Sequence, residues 1–361
     1  MVILHTETLK HWGGQQNRIL MEAIGLTRKG HKVIIVCNRG SVLAQKAKAH
    51  KGITVYEVRM RDRSYFQVPK LMKIIRKEGV DIVCTHSSLD SWPGGLAAKL
   101  TGRKLVRFRH NLFPIPRNIF AKFIYSIPDR IIVISGGIKE LLVKKYGFKS
   151  EDISVISDSV DVNVFSPDVE GLRKELKIPS DKIILGNTST FTKTKGQEFL
   201  LTAFNNIVRK FPCILLLAGR INETSKSKYL SCVDEDVRDR VIFLGHRDDI
   251  PRVLKTIDIF IFPSVIEGLG TALLEAMAVE RPVLVSDIPT FREFIVDGVN
   301  GLFFKAGSPE DIEKKVSLLI SDKSLRDALG KNARRTVLER FSIDVMIDKT
   351  EQLYNEILNS P

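Results

Sequence analysis

The stretch Ile259-Phe260-Ile261-Phe262-Pro263-Ser264-Val265-Ile266-Glu267-Gly268-Leu269-Gly270-Thr271-Ala272-Leu273-Leu274-Glu275-Ala276-Met277-Ala278 decides the fold. Its first four residues are an apolar, β-favouring run that reads as a buried strand, and the apolar residues from Thr271 to Val279 read as a helix. The glycine-bearing segment between them is a turn. A strand that passes directly into a helix is the repeating unit of a parallel sheet, and in open sheets of this kind ligands bind outside the carboxyl ends of the strands. The turn is therefore a candidate ligand site. Gly268 and Gly270 let backbone approach a ligand closely, and the free amides at the helix start, from Gly268 through Leu269 and Gly270 to Thr271, suit a diphosphate. Glu267 in the turn and Glu275 one turn inside the helix reach one cavity with different targets, as carboxylates that accept hydrogen bonds from sugar hydroxyls.

The same pattern extends in both directions. Strand-like runs at 183–185, 214–218, 241–244, 283–285 and 302–304 alternate with helical stretches at 196–210 and 309–321. The first half repeats the plan with runs at 2–4, 33–36, 54–58, 82–85, 105–108, 131–134 and 154–156 and helices at 15–29 and 68–77. Asp158 to Pro167 is polar, lacks helical period and forms the linker. The expected architecture is α/β, with two Rossmann-like, doubly wound domains at 1–165 and 166–342. A last helix, from about Ile343 after a Ser342 cap, closes the chain.

A chain of 361 residues is too long for one core and suits two. The net charge of +14 is uneven: residues 1–165 hold 28 Lys and Arg against 13 Asp and Glu, and the remainder is almost neutral. A field of that sign attracts polyanions, either an anionic membrane or a phosphorylated acceptor. Nucleic acid is set aside, because no reader motif or aromatic platform accompanies the charge. The four cysteines stand far apart and read as reduced core thiols. No apolar run is long enough for a membrane span, and the chain opens on a strand instead of a secretory leader; the expected location is the cytoplasm, at the inner face of its membrane. Asp234-Glu235-Asp236 reads as a solvated face and not as a metal site.

Other candidates lie at strand ends. His86 directly follows the strand at 82–85, Arg109 and His110 follow the next, where they can bind an acceptor or a phosphate, and His5 is packed at the end of the first. Gly13-Gly14 lacks the G-x-G-x-x-G spacing of a dinucleotide site and reads as a glycine turn that opens a helix near a diphosphate. Two basic-apolar stretches, 65–77 with Lys70, Lys73 and Lys77 and 113–125 with its aromatics, are candidates for lying flat on lipid.

With Glu267 and Glu275 in an E-x7-E arrangement, the central stretch resembles retaining glycosyltransferases of family 4. Lys195-Gly196 with Leu200 to Phe204 is similar to the family's phosphate-lysine segment, Pro282 to Asp287 and Glu293 to Gly301 to its next strand and loop, and Trp12-Gly13-Gly14-Gln15 with Gly30 to Val33 to its opening. Thr85 to Ser88 and Arg107 to His110 look most like enzymes building bacterial surface glycolipid, such as lipopolysaccharide core. The resemblance implies the GT-B fold, with two domains facing a central cleft: donor bound by the C-terminal domain, acceptor by the N-terminal one, the final helix crossing back at 343–361. It implies transfer of a sugar from a nucleotide-diphosphate sugar with retained configuration, no permanently bound cofactor and no divalent metal. His86, Glu267 and Lys195 would be catalytic. Gly13, Gly14, Lys193, Gly268, Leu269, Gly270, Thr271 and Glu275 would hold the donor, and Arg109 and His110 an anionic or lipid-linked saccharide acceptor. Two departures stand out: Ser189-Thr190 occupies the place of a family arginine, for which Lys193 is the expected substitute, and Glu280 replaces a turn glycine. Competing readings are a sugar-nucleotide epimerase on the same plan and a non-catalytic sugar-nucleotide-binding protein.

Overall fold

The structure is a computed structural model that describes residues 1–59, 65–116 and 118–360; Met60–Ser64 and Arg117, which falls in the second basic-apolar stretch, lie outside the described residues. Two compact units emerge, Met1–Ser159 joined by Ile343–Pro361, and Val160–Ser342.

The first unit runs β1 (Val2–Glu7), α1 (Gly14–Arg28), β2 (Lys32–Asn38), α2 (Val42–Lys48), β3 (Ile53–Val58), α3 (Val68–Glu78), β4 (Ile82–Thr85), α4 (Ser91–Leu100), β5 (Lys104–Arg109), α5 (Ile119–Ser126), β6 (Arg130–Val133), α6 (Gly136–Tyr146) and β7 (Ile153–Val155). All seven strands are parallel in the order β3-β2-β1-β4-β5-β6-β7. The order reverses between β1 and β4, the switch point where such sheets bind ligands. Residue alternation sends Ile3, Ile35, Cys84, Val106 and Phe108 to one face, under α1, and Leu4, Ile34, Val83 and Leu105 to the other, under α3 and α4.

The second unit runs β8 (Ile183–Thr188), α7 (Gln197–Lys210), β9 (Cys213–Ala218), α8 (Glu223–Leu230), β10 (Val241–Gly245), α9 (Ile250–Thr256), β11 (Ile259–Phe262), α10 (Thr271–Ala278), β12 (Val283–Ser286), α11 (Pro289–Arg292), β13 (Leu302–Phe304), α12 (Pro309–Ser321) and α13 (Lys323–Arg340). Its six parallel strands follow the order β10-β9-β8-β11-β12-β13. The switch point here lies between β8 and β11. Helix α14 (Ile343–Asn359) belongs to the first unit and buries Met346, Ile347, Leu353, Tyr354 and Ile357 in its core, each worth about 1.5–3 kcal/mol of burial. Gly25 of α1 permits this contact, since a Cβ there would stand 2.3 Å from Ile347 Cγ1.

Helix α3 corrects one expectation. Its apolar stripe, Val68, Leu71, Ile74 and Ile75, is buried in the core with Lys70 and Lys73 outward, so the helix has no apolar face left for lipid, while Phe66 just ahead of it is exposed. In α5, by contrast, Ile119, Phe120 and Phe123 stay exposed while Ile124 and Tyr125 are buried. All four cysteines are free, three of them buried. Asp234 and Asp236 are exposed and paired with Arg209 at 2.8 and 3.0 Å.

Candidate functional site

In the second unit, the turn after β8 and the turn after β11 are fastened side by side. Gly196 makes this possible: it has φ of +66°, and a Cβ there would fall 2.1 Å from the carbonyl oxygen of Pro263, so only glycine fits. The Val265 amide donates to the Thr194 carbonyl at 2.9 Å. Lys195 Nζ thereby reaches Glu267 Oε1 at 2.5 Å and lies over the Phe262 ring. Thr290 Oγ1 donates to the Glu267 carbonyl at 2.8 Å and steadies the turn.

Gly270, with φ of +89°, turns the chain into α10. Among the described residues, the amides of Gly268, Leu269, Gly270 and Thr271 donate no hydrogen bond within the protein, which leaves them for an anion. Leu269 is buried beneath them. Glu275 lies one turn along α10, half-buried, and its carboxyl makes no hydrogen bond or ion pair among the described residues. With no partner to offset it, burial pushes this carboxyl up to about 7. The hydroxyls of Thr188, Ser264 and Ser286, at the carboxyl ends of β8, β11 and β12, are also buried without partners. Such orphans are rare away from ligand sites.

Where the family's arginine is missing, Ser189 accepts from Gln197 Nε2 at 2.9 Å and donates to Asn187 at 2.7 Å. Lys193 is exposed in the turn ahead of Lys195. A second cation stands nearby that sequence reading missed: Arg220 follows Gly219, at which a Cβ would fall 2.0 Å from the Ser189 carbonyl oxygen. The available signal was a Gly-Arg pair at the end of a strand, one strand away from its usual place. Glu280 takes a left-handed φ of +59°, the conformation the usual glycine would supply.

In the first unit, a row of histidines crosses the switch point. His5 Nδ1 lies 3.0 Å from His86 Nε2, and His86 Nδ1 lies 3.1 Å from His110 Nε2, with His86 stacked on Phe108 at 4.5 Å. Asp90 holds the turn after β4 by accepting from the His86 amide at 2.8 Å, the Ser87 amide at 2.6 Å and Thr6 Oγ1 at 2.6 Å. Burial still pushes its carboxyl up. Glu7 ties down the loop before α1, accepting from the Leu9 amide and from Gln15 and Gln16; burial and Asp90 push it up to about 7. Gly13 caps α1 in extended conformation, and Gly14 is its first residue.

A pocket of about 380 Å³ opens beside this row, lined by His86, Ser87, Trp92, Arg107, Arg109, His110, Phe120 and Tyr125 among others. Arg109 donates to the Tyr125 hydroxyl at 2.6 Å and to the Phe113 carbonyl. Arg107 is 3% exposed, its guanidinium 3.9 Å over the Tyr125 ring, and its Nε and Nη1 find no hydrogen-bond partner. Neither arginine has a carboxylate partner among the described residues. A buried cation without a counter-charge is costly, so Arg107 marks a place for an anion, and one that the residue pattern did not single out.

No group of three or more His, Cys, Asp or Glu suited to a metal occurs among the described residues, and none of the helices described is long and apolar enough to cross a membrane. Residues 12–164 match the family described as Glycosyltransferase Family 4 and residues 168–336 that described as Glycosyl transferases group 1. The chain is 27% identical over 308 residues to the UDP-Gal:alpha-D-GlcNAc-diphosphoundecaprenol alpha-1,3-galactosyltransferase of Escherichia coli, covering 80% of this chain and 78% of that one. It is 30% identical over 226 residues to a lipopolysaccharide core biosynthesis glycosyltransferase of Rhizobium meliloti, covering 62% and 64%. The crystal structure of a glycosyltransferase from Rickettsia africae superposes with a TM-score of 0.91 at 25% identity, over 100% of this chain and 99% of the other.

Proposed function

We propose that this chain, which belongs to the glycosyltransferases of family 4, moves a sugar from a nucleotide-diphosphate sugar to a saccharide or glycolipid acceptor with retained anomeric configuration. The observation that carries the reading is the Lys195–Glu267 pair set against unsatisfied amides and the partnerless Glu275. In the reaction the C1–oxygen bond of the diphosphate breaks, the acceptor oxygen bonds to C1 and its proton is released. Negative charge grows on the departing diphosphate, where fixed cations and amide dipoles act most strongly. Lys195, with Lys193 of the same turn and Arg220 of the adjoining loop, supplies that charge, and a divalent metal is unnecessary. The diphosphate takes Lys195 from Glu267, which frees Glu267 for the donor sugar's hydroxyls, while Glu275 accepts from the ribose hydroxyls. The family resemblance gives the remaining catalytic role to His86.

Arg107 and Arg109 support an acceptor with an anionic group in the pocket of the first unit. An epimerase would have no use for them. The E. coli relative is named for UDP-Gal and a diphospho-lipid-linked sugar, which favours this donor and acceptor class and surface polysaccharide synthesis. The exposed Ile119, Phe120 and Phe123 of α5, in the strongly basic first unit, suit peripheral contact with the anionic inner face of a membrane.

A panel of UDP-, GDP- and ADP-sugars, offered with a diphospholipid-linked saccharide in the presence of chelator, tests the reading. Transfer without metal and an unchanged anomeric configuration by NMR are expected. Strict dependence on magnesium or manganese, or an inverted linkage, would overturn it.

A further inference from the structure

Three neutral imidazoles hydrogen-bonded in a row allow only two polarities, because each ring has one N–H and one lone pair. Either every ring carries its proton on Nδ1 and the row donates from His5 towards His110, or every ring carries it on Nε2 and the row donates from His110 towards His5. His5, His86 and His110 share one face of the sheet, each two residues further along its strand than the last in register. The row therefore climbs from beneath α1 to the wall of the pocket.

The inner end decides between the two. At the inner end, His5 Nε2 lies 3.8 Å from Glu22 Oε1, a carboxylate held by Arg18 Nε at 3.0 Å and by the Tyr354 hydroxyl at 2.6 Å. At the outer end, His110 Nδ1 is buried and finds no partner. With protons on Nδ1, a lone pair of His5 would face the carboxylate and His110 would bury an orphaned N–H. With protons on Nε2, the His5 N–H points towards the carboxylate across 3.8 Å, too far for a hydrogen bond, and the unpaired atom of His110 is a lone pair. Either arrangement leaves one buried N–H without a hydrogen-bond partner, His110 Nδ1–H in the first and His5 Nε2–H in the second. The negative charge of Glu22 beside His5 attracts an N–H and repels a lone pair, so the inner end favours the second arrangement. Besides Glu22, Arg18 of α1 is the charged side chain that acts on all three rings, and it is not bonded to His110 Nδ1. The rings are neutral near pH 7: burial first, then neighbouring positive charge, pushes His86 well down and His110 to about 3, and burial lowers His5 against the pull of Glu22.

We infer that Glu22, acting through His5 and His86, holds His110 in the Nε2–H form, so that its Nδ1 is a bare lone pair kept for a hydroxyl hydrogen of a saccharide in the pocket. Glu22 and His5 are positioning residues. The polarity stands on its own; only the identity of the hydroxyl rests on the transferase reading.

Long-range ¹H–¹⁵N correlation on the full chain labelled with ¹⁵N-histidine, at pH 7 without substrate, reads the tautomers directly. His5, His86 and His110 should each show a protonated Nε2 and a bare Nδ1, and a protonated Nδ1 on any of the three would overturn the inference. Glu22→Gln should mix the tautomers; if that variant fails to fold, the wild-type spectrum decides alone. N-acetylglucosamine 1-phosphate, as probe, should move the His110 Nδ1 signal, whereas inorganic phosphate should leave it unmoved. A His110 Nδ1 signal unmoved by the sugar phosphate would overturn the hydroxyl subsite. Correct tautomers in a protein that transfers no sugar would instead count against the transferase reading and leave the row intact.

Discussion

At the carboxyl edge of the first unit's sheet, Arg18 is bonded to Glu22 and Asp158, and three histidines to one another, in a buried network. At the matching edge of the second unit, Glu275, Thr188, Ser264 and Ser286 are bonded to nothing, and Lys195 is held by Glu267 alone. The two edges share one strand order and switch point, yet at the first the carboxylates and histidines are bonded within the protein and an arginine, Arg107, is left unpaired, whereas at the second a carboxyl and three hydroxyls are left unpaired. The same kind of side chain therefore has opposite duties. In the first unit a buried charge maintains the fold and orients a pocket wall; in the second it is held in reserve, at a cost to stability that binding offsets.

The comparison breaks most visibly at Arg18. This side chain is fully buried and bonded to Glu22, Asp158 and the carbonyls of Ile156 and Ser157. Arg18→Ala strands two carboxylates and should cost about 3–5 kcal/mol of stability in urea unfolding. A loss below about 1 kcal/mol would mean that the network does not hold the unit together.

Lys195→Ala should do the reverse. It removes a partly exposed cation, so the melting temperature should hardly move, but kcat/KM should fall by about 10² to 10³, or about 2–4 kcal/mol of transition-state stabilisation. Undiminished turnover in the folded variant would remove Lys195 from the site.

Glu275 makes the reserve measurable through pH. Its folded-state value near 7 lies above the ordinary 4.5, so the unfolded chain releases this proton first. The contribution of this carboxyl to stability falls as pH rises from about 4.5 to about 7, and the penalty is complete above that. Glu275→Gln should abolish this pH-dependent part of the stability, about 3 kcal/mol between those limits. In wild type the donor KM should fall as pH rises through about 7 and the carboxylate forms; in the glutamine variant it should stay flat.

The second unit's site was readable because it is local. Pro263 to Ala278 is one continuous strand-turn-helix, and Lys195-Gly196 is a second short segment, so residue types and spacing expose both. The first unit's site is assembled from the ends of β1, β4 and β5 and from α1, which lie up to a hundred residues apart. His86 and His110 were found one at a time as strand-end residues, but the row that joins them through His5 needs the register of three strands. Arg107 was quoted only as part of a family-like run and given no role of its own, because its burial without a carboxylate shows only in the packed structure. The stripe of α3 was read as a lipid face for a related reason: a basic amphipathic helix has the same period whether its apolar side meets a membrane or a sheet. Only the packing separates them, and it left α5 as the exposed one.

Helix α5 yields the smallest expected effect. Replacing exposed Phe120 and Phe123 by serine should leave stability within about 0.5 kcal/mol, as is usual for surface sites. Binding to anionic vesicles should weaken several-fold, in a salt-sensitive way. Equal binding by wild type and variant would return α5 to an ordinary surface.

The division of labour between the two edges is tested most directly by steady-state kinetics with donor and acceptor varied independently in Glu275→Gln and Arg107→Gln. Glu275→Gln should raise the donor KM about tenfold and leave the acceptor KM within twofold; Arg107→Gln should raise the acceptor KM about tenfold and spare the donor, each change amounting to about 1.4 kcal/mol. If both variants moved the same KM, or each moved the other's, the assignment of donor to the open edge and acceptor to the closed one would be wrong.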